Sequence, residues 1–384
     1  MIVTHIALKN WRNFRSVDVQ LGYRVFIVGP NASGKSNFLD VFKFLHDIAK
    51  PGGGLQKAIN DRGGISKIRC LSAREDPDIK IEVSLSDISE QIPVFRYSLG
   101  IKQQSRGRHL PYLSFERVWK GEKLILNRPD DDDKKDDVLL TQTHLEQINA
   151  NKRFREVERF FQTISYSHLV PQLVRNPAAF RGPGSDGDPY GRNLLETIAK
   201  TPEKTRKSRL RKIENALRIA VPQLINLNEN RDEVGTPHLE ATYQHWRAKG
   251  AKQREDQFSD GTLRLLGLLW ALLESDSLLL LEEPELSLNS AIISKIPILL
   301  YKLQSQKRRQ VILSTHSADL LTDKGIGGDE VLLLTPTPEG TKVELASSIE
   351  DIRLLLEGGL TIADALLPKT NPQNINLLQM ELFK

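Results

Sequence analysis

Cysteine is nearly missing from this sequence: Cys70 is the single one in 384 residues. One thiol excludes an intramolecular disulfide and any zinc site built on cysteine pairs, and it fits a reducing compartment. Long apolar runs are missing too. The longest, at 263–273 and 278–281, fall far short of the roughly 20 residues that span a bilayer, so no transmembrane helix is expected. Met1-Ile2-Val3-Thr4-His5 lacks the basic start, apolar stretch and small-residue cleavage site of a secretory signal, which makes the cytoplasm the expected location. No internal repeat and no sustained heptad occurs, so long coiled-coil arms are not expected. What remains is 39% hydrophobic and 27% charged, the composition of an ordinary globular protein. The length allows two or three lobes, each with its own core.

Lys and Arg number 54 against 49 Asp and Glu, and the distribution of this charge says more than its sum. Cations cluster at Lys200, Lys204, Arg206, Lys207, Arg209, Arg211 and Lys212. Smaller groups are Lys102, Arg106 and Arg108; Arg247, Lys249, Lys252 and Arg254; and Lys307, Arg308 and Arg309. Such stripes suit the phosphates of nucleic acid, and equally suit a solvated helix face. Residues 130–137 hold six acids in eight positions. Their mutual repulsion predicts a mobile surface loop rather than a metal site.

The chain changes texture along its length. An alternating segment at 2–8 and a continuous apolar run at 25–28 read as strands, the second leading into a glycine loop. Phe38, Val41, Phe42, Leu45, Ile48 and Ala49 then recur at helical spacing, and the pattern ends at residues 51–54, Pro-Gly-Gly-Gly. Period-two alternation from about 67 to 127 predicts an antiparallel meander. Residues 138–230 read as mainly helical, with a Gly-, Pro- and Asp-rich loop at 176–190. From 258 a second α/β texture sets in: a buried helix at 263–273, a strand at 277–281, a helix at 291–306 bent at Pro297, a strand at 311–314, and a hairpin from 331–334 and 342–345.

Four segments carry chemistry. Gly29-Pro30-Asn31-Ala32-Ser33-Gly34-Lys35-Ser36 has the spacing of a phosphate-binding loop, whose glycines let backbone N–H groups wrap phosphates at a helix N-terminus. In such a loop Lys35 reaches the β and γ oxygens and Ser36 holds Mg²⁺. Next, four leucines at 278–281 run into Glu282-Glu283-Pro284-Glu285. Acids at the carboxyl end of a parallel strand lie where open α/β sheets place ligands. There Glu282 orients Mg²⁺ and Glu283 aligns or deprotonates water; alone, the pair would read as a helix cap. Third, Ser259-Asp260-Gly261-Thr262 opens a leucine-rich helix, either as an anion site or as an N-cap. Fourth, a strand at 311–314 ends in Thr315-His316-Ser317, with one imidazole that is structural or touches a γ-phosphate.

Taken in order, these segments resemble the ATP-binding-cassette (ABC) ATPases, in the branch that includes the SMC, RecF and OLD-type proteins. Residues 6–14 followed by Gly29 to Asn37 look like that branch's first strand pair and its Walker A motif. Ser259 to Thr262 stands at the signature motif, Glu282 to Glu285 at Walker B, and His316 at the switch histidine. The resemblance implies an α/β P-loop NTPase of ABC ATPase type: a mixed central sheet with flanking helices, an antiparallel β lobe and a helical lobe. Residues 1–137 would form an N-terminal ATPase lobe, 138–257 a mainly helical lobe, 258–370 a C-terminal ATPase lobe, and 371–384 a tail. It also implies ATP and Mg²⁺ as cofactors, and a homodimer in which Ser259 and Gly261 of one subunit cap the γ-phosphate held by Lys35 of the other. Two departures stand out. Glu282 replaces the usual Asp of Walker B, and the glutamine expected to contact Mg²⁺ has no clear counterpart; Gln142 is the first choice, with Gln103 and Gln104 behind it.

Within this branch, one cysteine cannot build a zinc hook, and the 223 residues between Lys35 and Ser259 are too few for SMC arms. The 68 residues after His316 are too few for a nuclease module. The expectation is a compact ATPase acting with a nuclease or toxin effector in trans, in phage defence or DNA repair, either as a DNA-associated switch or as an ATP-bound scaffold with negligible turnover. A segment from Gln379 to Phe383 resembles peptides that dock on the DNA-polymerase sliding clamp, with Leu382 and Phe383 as anchors; it reads equally as a last turn tucked onto the domain.

Overall fold

A computed structural model describes residues 1–74, 76–86, 92–104, 110–177, 190–246, 250–275 and 277–371. The Gln379–Phe383 segment lies outside the described residues, as do Arg106, Arg108, Arg247 and Lys249. Strands run in the order β1 (Ile2–Trp11), β2 (Phe14–Gln20), β3 (Arg24–Val28), β4 (Ile79–Ser86), β5 (Phe95–Gln103), β6 (Pro111–Lys120), β7 (Lys123–Arg128) and β8 (Ser165–Ser167). They continue with β9 (Leu224–Arg231), β10 (Pro237–Tyr243), β11 (Ala251–Arg254), β12 (Leu279–Glu282), β13 (Val311–Thr315), β14 (Val331–Thr337) and β15 (Gly340–Leu345).

Three sheets result. The first, β2-β1-β4-β5-β6-β7, is antiparallel throughout. The second has the order β15-β14-β3-β13-β12-β8, parallel except for the β14–β15 hairpin. The third is the antiparallel trio β11-β10-β9.

Continuous apolar runs become parallel strands because both faces of the second sheet are covered. Side chains alternate between those faces. Val25, Ile27, Leu280, Ile312, Leu332 and Leu334 join one core, together with the Lys35–Ala49 helix and the first sheet. Phe26, Val28, Leu279, Leu281, Val311, Leu313, Val331 and Leu333 join the other, under the Ile296–Lys307 and Ile362–Thr370 helices. A third core gathers the Glu203–Ala220 helix, β9, β10 and one side of the Asp260–Glu274 helix. That last helix also sends Leu268, Ala271 and Leu272 into the second core, so it bridges two lobes.

The structure corrects three expectations. Within 138–257, read as mainly helical, residues 224–254 form a sheet. Asn226 sits at φ 56° and the β9–β10 register shifts there; this irregularity buries Leu224 and Leu227 together, a spacing of three that imitates a helix. The acidic run is no mobile loop. Asp130 caps the Asp131–Lys135 helix, and Asp133 is buried with two hydrogen bonds from Arg128 (3.0 and 2.6 Å). Arg128, buried as well, also reaches Glu116 at 3.1 Å, so its charge offsets the repulsion. Finally, Pro297 bends nothing: it opens the Ile296–Lys307 helix after a separate turn at Ser290–Ile293.

The basic clusters divide by burial. On the Glu203–Ala220 helix, Lys204, Lys207, Arg211 and Lys212 are exposed. Arg206 pairs with Glu229, and Arg209 lies over the Trp270 ring. Arg309 is fully buried, donating to the Ala271 and Ser277 carbonyls. Among the described residues no helix is long and apolar enough to cross a membrane.

Two predictions concern stability. Asp133→Ala leaves the Arg128 guanidinium buried with one partner fewer and costs about 3–5 kcal/mol in denaturant unfolding, while exposed Asp132→Ala stays within about 0.5 kcal/mol. In the third sheet, His238 on β10 places Nδ1 2.7 Å from Glu255, in the turn before residue 258, and Nε2 3.5 Å from Asp232. Burial pushes the imidazole down, but Glu255 and Asp232 outweigh it, and its pKa rises above the ordinary value. The stabilisation is therefore complete below about pH 6.5 and fades as pH climbs through the raised pKa. Wild type should exceed His238→Gln in melting temperature most at about pH 5.5, with the gap narrowing by about pH 9.

Candidate functional site

The parallel register decides which residues meet. β3 pairs with β13 from Arg24↔Val311 to Val28↔Thr315, and β13 pairs with β12 up to Ser314↔Glu282. Three strand ends therefore stop at one edge, and the segments that follow them, 29–34, 283–285 and 316–317, share it.

The loop after β3 is shaped by close approach. A Cβ on Gly29 would stand 2.7 Å from the Leu334 carbonyl, and one on Gly34 only 2.1 Å from the Asn13 amide nitrogen. Gly34 also takes φ 98°, open to glycine and strained for other residues. Asn13, in the β1–β2 turn, braces the loop: its amide donates to the Ser33 carbonyl (2.8 Å) and to Thr341 (2.7 Å), and accepts from Asn37 (2.8 Å). Trp11 donates to the Asn37 carbonyl at 2.9 Å. The helix that follows starts at Lys35 with no side-chain cap, so its first N–H groups and positive end face the loop.

Lys35 folds back over the loop, donating to the carbonyls of Gly29 (3.0 Å) and Pro30 (3.1 Å). Burial draws its pKa down, against Glu283, Glu282 and Glu285, which raise it. Glu282 has one carboxylate oxygen accepting from the Ser36 hydroxyl and the other from the Tyr166 hydroxyl. His168 Nδ1 lies 3.1 Å from the Glu282 carbonyl. Glu283 takes φ 43°, a strained value for a side chain of this kind. Its N–H donates to the Ser314 carbonyl at 3.1 Å, and its carboxylate lies 3.1 Å from His316 Nε2. Burial and the charge of Lys35 hold His316 below the ordinary histidine value, so it is neutral at pH 7 and able to donate to Glu283. Buried Glu285 accepts from Thr315 (2.5 Å) and from the His316 N–H (3.1 Å), and burial raises its pKa.

Lys35, Ser36, Glu282, Glu283 and His316, read from separate stretches, thus come together. Ser259 and Gly261 do not join them by any hydrogen bond or ion pair among the described residues. Ser259 caps the Asp260–Glu274 helix through the Thr262 N–H (3.2 Å), and a Cβ on Gly261 would meet the Ser287 carbonyl at 2.8 Å. Gln142 contacts Gln147 (3.0 Å) and, through its carbonyl, Arg128 (2.8 Å). Sequence reasoning missed Asn13, Tyr166, His168 and Glu285. Glu285 stood inside the 282–285 motif with no role assigned to it, whereas Tyr166, on the three-residue β8, and His168, directly after that strand, have no motif around them.

The donor set fits a nucleotide and a hard cation. The Ser33 hydroxyl inside the loop is buried without a partner, and the uncapped helix start is an anion site. Among the described residues no three His, Cys, Asp or Glu side chains gather as a metal site. Ser36 and Glu282 are oxygen ligands of the kind Mg²⁺ takes when phosphate supplies the remainder.

Comparison with known proteins bears on the family and the fold. The family described as "AAA domain, putative AbiEii toxin, Type IV TA system" matches residues 24–323. No curated protein matches the chain. Among solved structures, an SMC head bound to the C-winged helix domain of ScpA is 15% identical over 90% of this chain and 98% of its own, with TM-score 0.52. A Pyrococcus furiosus Smc head domain with an extended coiled coil, bound to the C-terminal domain of ScpA, is 14% identical over 93% and 99%, with TM-score 0.50. The chain shares the fold of these two heads and belongs to the AAA domain family so described.

Proposed function

We propose that the chain binds ATP in the 29–37 loop, hydrolyses it, and uses the bound state to close on a second copy. The observation that carries this reading is the meeting of the Ser36–Glu282 and Glu283–His316 pairs at one edge of three register-aligned strands. The loop N–H groups and the helix start hold the phosphates, and Lys35, which donates to the Gly29 and Pro30 carbonyls, exchanges them for phosphate oxygens. Ser36 and Glu282 would hold Mg²⁺, which would supply positive charge against the phosphates. Glu283 accepts the proton of the attacking water at its carboxylate, and neutral His316 keeps that carboxylate aimed. Gln142 has no hydrogen bond to this network among the described residues; it pairs with Gln147 and Arg128 instead.

Ser259 and Gly261 are a helix start without a phosphate of their own, which supports their use on the loop of a second copy. Exposed Lys204, Lys207, Arg211 and Lys212, on one helix, support an encounter with DNA phosphates. A protein partner is supported by the solved heads, recorded with ScpA domains, and the family description names a toxin. In this reading the chain is a switch in phage defence or DNA repair whose effector is another polypeptide.

Steady-state ATP hydrolysis, measured with and without linear double-stranded DNA, tests the proposal. Lys35→Ala should abolish turnover. Glu283→Gln should lower it by about 100-fold or more while retaining ATP and eluting as a dimer with Mg²⁺; turnover at the wild-type rate in that variant sinks the assignment. Tight ATP retention by a wild type that turns over negligibly would make ATP a structural ligand instead.

A further inference from the structure

Glu282 is longer by one methylene than the aspartate it replaces, and a longer carboxylate has more rotamers to lose when it is held in one place. In this structure it is held at three points. One oxygen accepts from Ser36, the other accepts from Tyr166, and the backbone carbonyl faces His168 Nδ1 at 3.1 Å. Tyr166 is the middle residue of β8, three residues at the outer edge of the parallel sheet paired with β12 as Leu280↔Tyr166 and Leu281↔Ser167, and His168 follows directly after the strand.

The alternation of strands explains the meeting. Leu280 faces the first core, so Tyr166, opposite it, and Glu282, two residues on, share that face. The Lys35–Ala49 helix covers the same face. It presents Ser36 and, seven residues later on the same stripe, Lys43, whose ammonium lies 5.0 Å from the Tyr166 ring centroid.

Resting on the function proposed above, we infer that Tyr166 is a positioning residue: its hydroxyl occupies one oxygen of Glu282 and leaves the oxygen beside Ser36 for the cation. The phenol thereby fits a glutamate to a place usually held by aspartate. A shorter side chain at 282 cannot span from Ser36 to Tyr166, so the two substitutions act through one contact.

The test uses the full chain and the affinity of a fluorescent ATP analogue, measured with Mg²⁺ and again in EDTA. Tyr166→Phe should weaken Mg²⁺-dependent binding by about tenfold and leave binding in EDTA unchanged; one hydrogen bond to a charged group is of that order. Glu282→Asp should also weaken it, and adding Tyr166→Phe to Glu282→Asp should change nothing further. Three results overturn the inference: a Tyr166→Phe variant that matches wild type in Mg²⁺, a loss of equal size in EDTA, which a merely structural role gives, or additive losses in the double variant. A wild type with no Mg²⁺-dependent binding removes the proposed function and the inference with it. A wild type that binds, beside an unaffected Tyr166→Phe, removes the inference alone.

Discussion

The register of four parallel strands, β3, β13, β12 and β8, is the constraint on which the site depends. β3, β12 and β13 bury alternate residues in two different cores, with Val25 and Ile27 of β3 on one side and Phe26 and Val28 on the other, while Tyr166 of β8 packs against the first. A slip of one residue would exchange the faces of a whole strand. It would also move Glu282 away from Ser314, and Glu283 away from His316. Packing therefore protects the alignment of the chemical groups, although none of the buried leucines and valines touches a ligand.

A second dependence runs outward from this sheet. The Asp260–Glu274 helix packs one side on the third core and the other on the second. Its far end is gripped by Arg309, which donates to the Ala271 and Ser277 carbonyls and to the hydroxyls of Ser165 and Ser275. One guanidinium thus ties the helix to the start of β13, to the approach to β12 and to β8. The Asp260–Glu274 helix is in this way tied by packing and hydrogen bonds to the strands that hold Glu282 and Tyr166.

Strain and unsatisfied polarity occur at the site, as they do at several other places among the described residues. Glu283 holds a left-handed backbone, the Ser33 hydroxyl is buried without a partner, and so is one oxygen of Glu285. Buried polar groups are ordinarily satisfied.

Much of this was legible in the amino-acid order. The glycine loop, the acids after four leucines and the strand ending at His316 are local patterns, and each maps onto a strand end because a buried strand and a tight turn are set by residues close in sequence. Three things were not legible. The acidic run is ordered by Arg128 on β7 together with Glu116 on β6, a pairing that depends on how a hairpin folds. β9 carries its buried leucines at a helical spacing because of an irregularity at Asn226. Tyr166 reaches Glu282 across 116 positions, on a strand too short to show a period. The sequence by itself determined the family of chemistry, since phosphate binding at a helix start needs particular residues at particular local spacing. Tertiary structure alone decided which distant side chains orient those residues, because contacts between strand neighbours follow sheet order and register, which no local spacing records.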